Sequence, residues 1–114
     1  MKAGHYSKIE AKPIEVEGVA GLSMRTLISK NDGAHNFAMR LFHVDPGGYT
    51  FHHSHKWEHE MFVIEGKGQA ITPEGTKVLK DGYTIFVPPG EVHQFKNTGS
   101  TRLSFLCVVP NNAK

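Results

Sequence analysis

Gly47-Gly48-Tyr49-Thr50-Phe51-His52-His53-Ser54-His55-Lys56-Trp57-Glu58-His59-Glu60-Met61-Phe62-Val63-Ile64-Glu65-Gly66 holds four of the chain's eight histidines. A second stretch, Gly82-Tyr83-Thr84-Ile85-Phe86-Val87-Pro88-Pro89-Gly90-Glu91-Val92-His93-Gln94-Phe95-Lys96-Asn97, adds His93 just after a Pro-Pro-Gly turn. In an extended segment residues i and i+2 point the same way, about 6–7 Å apart. His53 and His55 can therefore offer two imidazoles to one point, a suitable bite for a metal with bonds to nitrogen of about 2.0–2.1 Å. Further ligands must come from neighbouring strands. His59 follows a short turn over Lys56 to Glu58 that can lead into the next strand, and His93 stands at the start of another. A local histidine cluster is otherwise a surface patch or an expression tag. Its mid-chain position, ahead of an apolar run, argues against a tag.

Outward from these stretches the punctuation is regular. Turn signals stand at Asn31-Asp32-Gly33, Pro46-Gly47-Gly48, Glu65-Gly66, Pro73-Glu74-Gly75, Asp81-Gly82, Pro88-Pro89-Gly90 and Asn97-Thr98-Gly99. Between them lie short β-branched and aromatic segments, among them Met24 to Ser29, Phe37 to Val44, Met61 to Glu65, Gln69 to Thr72, Tyr83 to Val87 and Leu103 to Val109. None holds a helical period. Short strands separated by turn chemistry predict an all-β sandwich or barrel. Leu103 to Val109 is mostly apolar on both faces, so it should be covered on both sides, and alternation does not say which face lines the barrel.

The 114 residues fit one domain, 1–114, able to bury a core without staples. A composition of 39% hydrophobic and 21% charged residues is that of an ordinary soluble protein. A net charge of +2, with no basic run, argues against nucleic-acid or membrane partners. One cysteine, Cys107, excludes a disulfide within the chain. Met1 to Gly18 is polar, without the apolar centre of a signal peptide, so the expected location is cytoplasmic.

The two histidine stretches resemble the motifs of the cupins. Gly47, His53, His55 and Gly66 match the first motif, and Gly82, Pro88, Gly90, His93 and Asn97 match the second at every fixed position. The resemblance implies a double-stranded β-helix, or jelly-roll barrel, with a metal inside. It departs from the usual pattern at one place. The cupin glutamate ligand falls at position 59 or 60, and the spacing to Gly66 selects 59, which is His59. The resemblance therefore implies a four-histidine set, His53, His55, His59 and His93, with Glu60 pointing away. The chain is similar to compact bacterial monocupins with four histidines, which share Met39-Arg40-Leu41-Phe42, Trp57-Glu58-His59-Glu60 and Phe105-Leu106-Cys107.

That likeness implies one divalent ion per chain, manganese first. Imidazole donors by themselves favour zinc, copper, iron or nickel over manganese. Four neutral imidazoles leave the ion its full charge, which favours Lewis-acid chemistry and anionic ligands. Arg40, Phe105 and Cys107 are the remaining pocket candidates by resemblance. A buried guanidinium needs an anionic partner, either a substrate or a glutamate of the chain. Trp57 and Phe51 are candidates for the rim. Exposed barrel edges need cover, and the resemblance implies a homodimer, with residues 1–36 contributing contacts. The functional expectation is a dioxygenase- or oxidase-type metalloenzyme acting on a small organic substrate. A metal-dependent ligand-binding module and an isomerase of a small sugar or keto acid are the alternatives.

Overall fold

A computed structural model of the chain describes residues 1–113. Nine strands form one curled sheet: β1 (Lys12–Ile14), β2 (Ala20–Ile28), β3 (Phe37–Tyr49), β4 (His59–Glu65), β5 (Lys67–Thr72), β6 (Gly75–Lys80), β7 (Thr84–Val87), β8 (Gln94–Asn97) and β9 (Leu103–Pro110). This is the all-β class that the turn spacing predicted, curled as the jelly-roll barrel that the resemblance implied. The only helical pieces among the described residues are two short 3-10 turns, Tyr6–Lys8 and Lys30–Asp32. No helix is long and apolar enough to cross a membrane.

The sheet runs β6-β5-β8-β3-β9-β4-β7, with β2 paired to the other side of β3 and β1 to β2. All named pairings are antiparallel. Strand β3 is the hinge of the curl. Its first part pairs with β2 and β9, and its last residue, Tyr49, pairs with Lys96 of β8. Period-two alternation decides what faces inward. In β4, His59, Met61 and Val63 are buried, whereas Glu60, Phe62 and Ile64 are exposed. In β9, Phe105, Cys107 and Val109 face the interior cavity, which settles the face that alternation left open. Leu22, Val44, Val63, Leu103 and Phe105 are part of the buried core.

One turn signal reads differently in the structure. Pro46-Gly47-Gly48 lies inside β3 rather than ending it. The pairing of β2 with β3 slips there, from Leu22 opposite Val44 to Ala20 opposite Tyr49. The glycines build an irregular bend that carries the strand around the barrel, as bulges do. A side chain at Gly48 would meet the Ala20 carbonyl at 2.5 Å. Strand β2 also starts earlier than the sequence reading and stops at Ile28, because Ser29 caps the 3-10 turn that follows.

Candidate metal centre

The two histidine stretches form one rigid end of the barrel. His53 and His93 face each other in an antiparallel bridge, with amide-to-carbonyl distances of 3.1 and 2.9 Å. Gly90 donates its amide to the His55 carbonyl at 2.7 Å, tying the Pro-Pro-Gly turn to the first stretch. Asn97, the last residue of the second stretch, is buried. Its carboxamide donates to the Val44 and Thr101 carbonyls at 2.7 and 2.8 Å and accepts from Gly99. Residues distant in sequence are thus held by hydrogen bonds that fix loop positions.

The four histidine rings converge. Centroids are 5.2 Å apart for His53 and His55, and 5.0 Å for His53 and His93. His55 and His93 are also 5.0 Å apart, and His59 stands 5.1 Å from each of them. His53, His55 and His93 each bring one ring nitrogen within 4.8 Å of the others. His59 lies outside that tight triple, although its ring packs against two of its members. Glu60 points outward from β4, as expected.

Three of the rings have their Nδ1 atoms engaged. His55 Nδ1 donates to the Trp57 carbonyl at 2.7 Å, and His93 Nδ1 to the Glu91 carbonyl at 2.8 Å. A carbonyl only accepts, so Nδ1 carries the proton and Nε2 keeps its lone pair. The indole of Trp57 stacks on His55 at 4.4 Å and 7°. His59 Nδ1 lies 3.1 Å from Cys107 Sγ, while its Nε2 is buried with no hydrogen-bond partner among the described residues. A buried polar atom without a partner is costly, and a cation at the ring cluster would satisfy it. The donor set therefore fits a divalent ion.

The electrostatics agree. Burial, followed by His93, His55, His53 and Arg40, pushes His59 down to about 3. Burial also lowers His93 and His53, aided by neighbouring histidines. Near neutral pH these rings are held neutral, the form that binds metal. Burial pushes the Cys107 thiol up to about 12.

The rings open into a cavity of about 290 Å³. Its walls include Met24, Phe42, Phe51, Trp57, Phe95 and Phe105, and Cys107 and Arg40 line it as well. Every pocket residue expected from the sequence is thus at this cavity, with Trp57 and Phe51 beside them. Phe42 and Phe105 stack with centroids 5.6 Å apart, and Phe95 packs on Phe105 at 5.5 Å with its ring tilted by 53°. Arg40 is half-buried and makes no ion pair among the described residues, which leaves open the place of the glutamate considered above. No Asp or Glu lines the cavity among the described residues. A larger, shallower depression of about 850 Å³ outside the barrel is lined by Phe37, Glu58 and Glu60 among others, and holds no histidine.

Phe95, two residues beyond His93 and on β8, was not among the residues singled out from the sequence. Sequence reasoning had no means of finding the carbonyls of Trp57 and Glu91, which carry no side-chain signature.

Comparison with known proteins supports the fold and shows the family. The family model described as Cupin domain matches residues 40–109. An oxalate-binding protein of Thermotoga maritima is 36% identical over 121 residues, covering 96% of this chain and 98% of the relative. A methylsulfurylase acting on 1-methylthio-D-xylulose 5-phosphate, from Rhodospirillum rubrum, is 28% identical over 71 residues, and the match spans 46% of its length. The solved structure of the polyketide cyclase RemF from Streptomyces resistomycificus superposes with a TM-score of 0.92 at 35% identity, covering 98% of this chain and 80% of that one.

Proposed function

The chain belongs to the cupin domain family, and from that premise we propose that it is a metal-dependent enzyme acting on a small, largely apolar, oxygenated organic molecule. His53, His55, His59 and His93 are the ligands in this reading. The ion is divalent, with manganese first by likeness and iron, nickel, zinc or copper also suited to imidazole donors. When bound it supplies Lewis acidity to a carbonyl or enol oxygen.

One observation carries the reading: neutral imidazoles opening into an aromatic-walled cavity without a carboxylate. Imidazole ligands leave the ion's charge uncancelled. The Trp57 and Glu91 carbonyls hold two rings in the tautomer that keeps Nε2 free. Aromatic walls offer few partners to water and favour a flat apolar ligand beside the ion. Among the described residues no wall carboxylate is present to act as a base, so a substrate already acidic at carbon, such as a β-dicarbonyl, suits the site. The relative named as a polyketide cyclase accords with non-oxidative chemistry of this kind.

A dioxygenase reaction is the second reading, favoured by a largely apolar cavity beside the metal ligands. The experiment is turnover of a panel of β-diketones by metal-loaded protein, with and without oxygen. Anaerobic product, with deuterium taken up from heavy water, supports the first reading. Strict oxygen dependence with oxygen uptake overturns it in favour of the second. Tight binding without turnover in either atmosphere would make the chain a binding module.

A homodimer belongs to the same proposal. Phe62, Ile64 and Phe86 stand exposed on the outer face of adjacent strands β4 and β7, and pairing of chains there would cover them. Sedimentation velocity reports the state directly.

A further inference from the structure

We infer that Arg40 is an anion-reading subsite, and that the ligand of this cavity is a flat, mostly apolar molecule bearing one ionised oxygen group, a carboxylate or an enolate. The inference deepens the proposed function and rests on it for the position of the metal.

Arg40 projects from β3 into the cavity, opposite Cys107 of β9 in the strand register. Guanidinium stays charged at any ordinary pH. It is half-buried beside Phe42, Phe105 and Met24 and has no ion pair among the described residues. The Phe105 and Cys107 side chains on the facing strand offer it no counter-charge. Charges removed from water are normally paired. A divalent ion at the histidines would add positive charge to the same space. The wall that closes this space supplies no carboxylate among the described residues, so a ligand is what can bring the compensating charge into the cavity.

Geometry narrows the class. A planar guanidinium binds a carboxylate or enolate through parallel hydrogen bonds. The remaining wall is aromatic and aliphatic, which suits a flat ring or conjugated chain. A volume of about 290 Å³ corresponds to about ten waters at ~30 Å³ each. That space fits a compact molecule of one or two rings. Sugars, with a hydroxyl on nearly every carbon, would leave most of those groups without partners here.

The test uses benzoate and benzamide, which share shape and differ in charge. Trp57 is the chain's single tryptophan and lines the cavity, so its fluorescence reports occupancy. Titrations are run on metal-loaded and on metal-free protein. Benzoate is expected to bind more tightly than benzamide by roughly tenfold or more, the change due to one charge-assisted hydrogen-bonded pair. In metal-free protein Arg40→Gln should bring the ratio close to one, and Arg40→Lys should keep part of it. Equal binding of the two probes by wild-type protein overturns the inference, as does failure of benzoate to bind. An undiminished preference in a folded Arg40→Gln protein overturns it too. Because the metal-free arm depends on Arg40 alone, a failed metal reading would appear separately, as protein that retains no ion.

Discussion

His59 and Cys107 meet inside the barrel, with Nδ1 3.1 Å from Sγ, although they come from different strands. Met61, two residues along β4 from His59, is opposite Cys107 in the register, so the contact is a diagonal one across neighbouring strands. Among the described residues the thiol is the one hydrogen-bond partner of Nδ1 of this ring. An Nδ1–H donated to sulfur leaves Nε2 free for an ion, and Nε2 is the atom left without a partner.

Cys107→Ala is therefore expected to weaken metal binding by about 10- to 100-fold, the usual effect of losing a group that orients a ligand. Cys107→Ser retains an acceptor in the same place and should lose much less. Competition against a chromophoric chelator measures both. Equal losses in the two variants would mean that Cys107 only fills space.

His59→Ala should lower metal content far more than Glu60→Ala. His59 is 6% exposed and turned inward, while Glu60 points to solvent. Elemental analysis of the purified variants decides it. A larger loss with Glu60→Ala would move the site into the three-histidine, one-carboxylate class.

His43 gives a pH dependence remote from the ligand cluster. Its Nδ1 lies 2.7 Å from Ser104 Oγ, its Nε2 accepts from Arg25 at 3.0 Å, and Ser104 donates to Glu65. Burial, followed by Arg102 and Arg25, lowers it to about 4, against the opposing pull of Glu65 and Asp45. Between pH 6.5 and 4 the unfolded chain takes up a proton that the folded chain refuses, so stability falls as pH drops through that window. From pH 7.5 to 5 the loss due to His43 should be on the order of 1–2 kcal/mol. His43→Gln should flatten that part of the profile in urea denaturation. A variant profile parallel to wild type would exclude His43 as its source.

Gly33 and Gly66 both hold positive φ, 85° and 102°, but in different surroundings. A side-chain carbon at Gly33 would meet nothing within 4 Å, whereas at Gly66 it would lie 2.5 Å from the Arg102 carbonyl and 2.7 Å from Leu103 Cα. Gly33→Ala should cost only the left-handed backbone penalty, about 1–2 kcal/mol. Gly66→Ala must also displace backbone, and its melting temperature should fall at least twice as far. Equal shifts would mean that β9 yields at that point.

The sequence alone determined the all-β class and most strand positions, while the pocket candidates came from the likeness to cupin motifs. It could do so because strand periodicity, turn residues and histidine spacing are local properties written in consecutive side chains. His53 and His55 share a direction for that reason, and Gly66 marks a backbone only glycine tolerates. Tertiary structure decided the rest. Whether Phe105 and Cys107 or Ser104 and Leu106 faced inward depended on which way the sheet curled. Pro46-Gly47-Gly48 bends a strand instead of ending it because β2 continues to pair beside it. The carbonyls that orient His55 and His93, the thiol beside His59 and the lack of an ion pair at Arg40 depend on distances between segments far apart in the chain. Such distances are fixed only when the barrel closes.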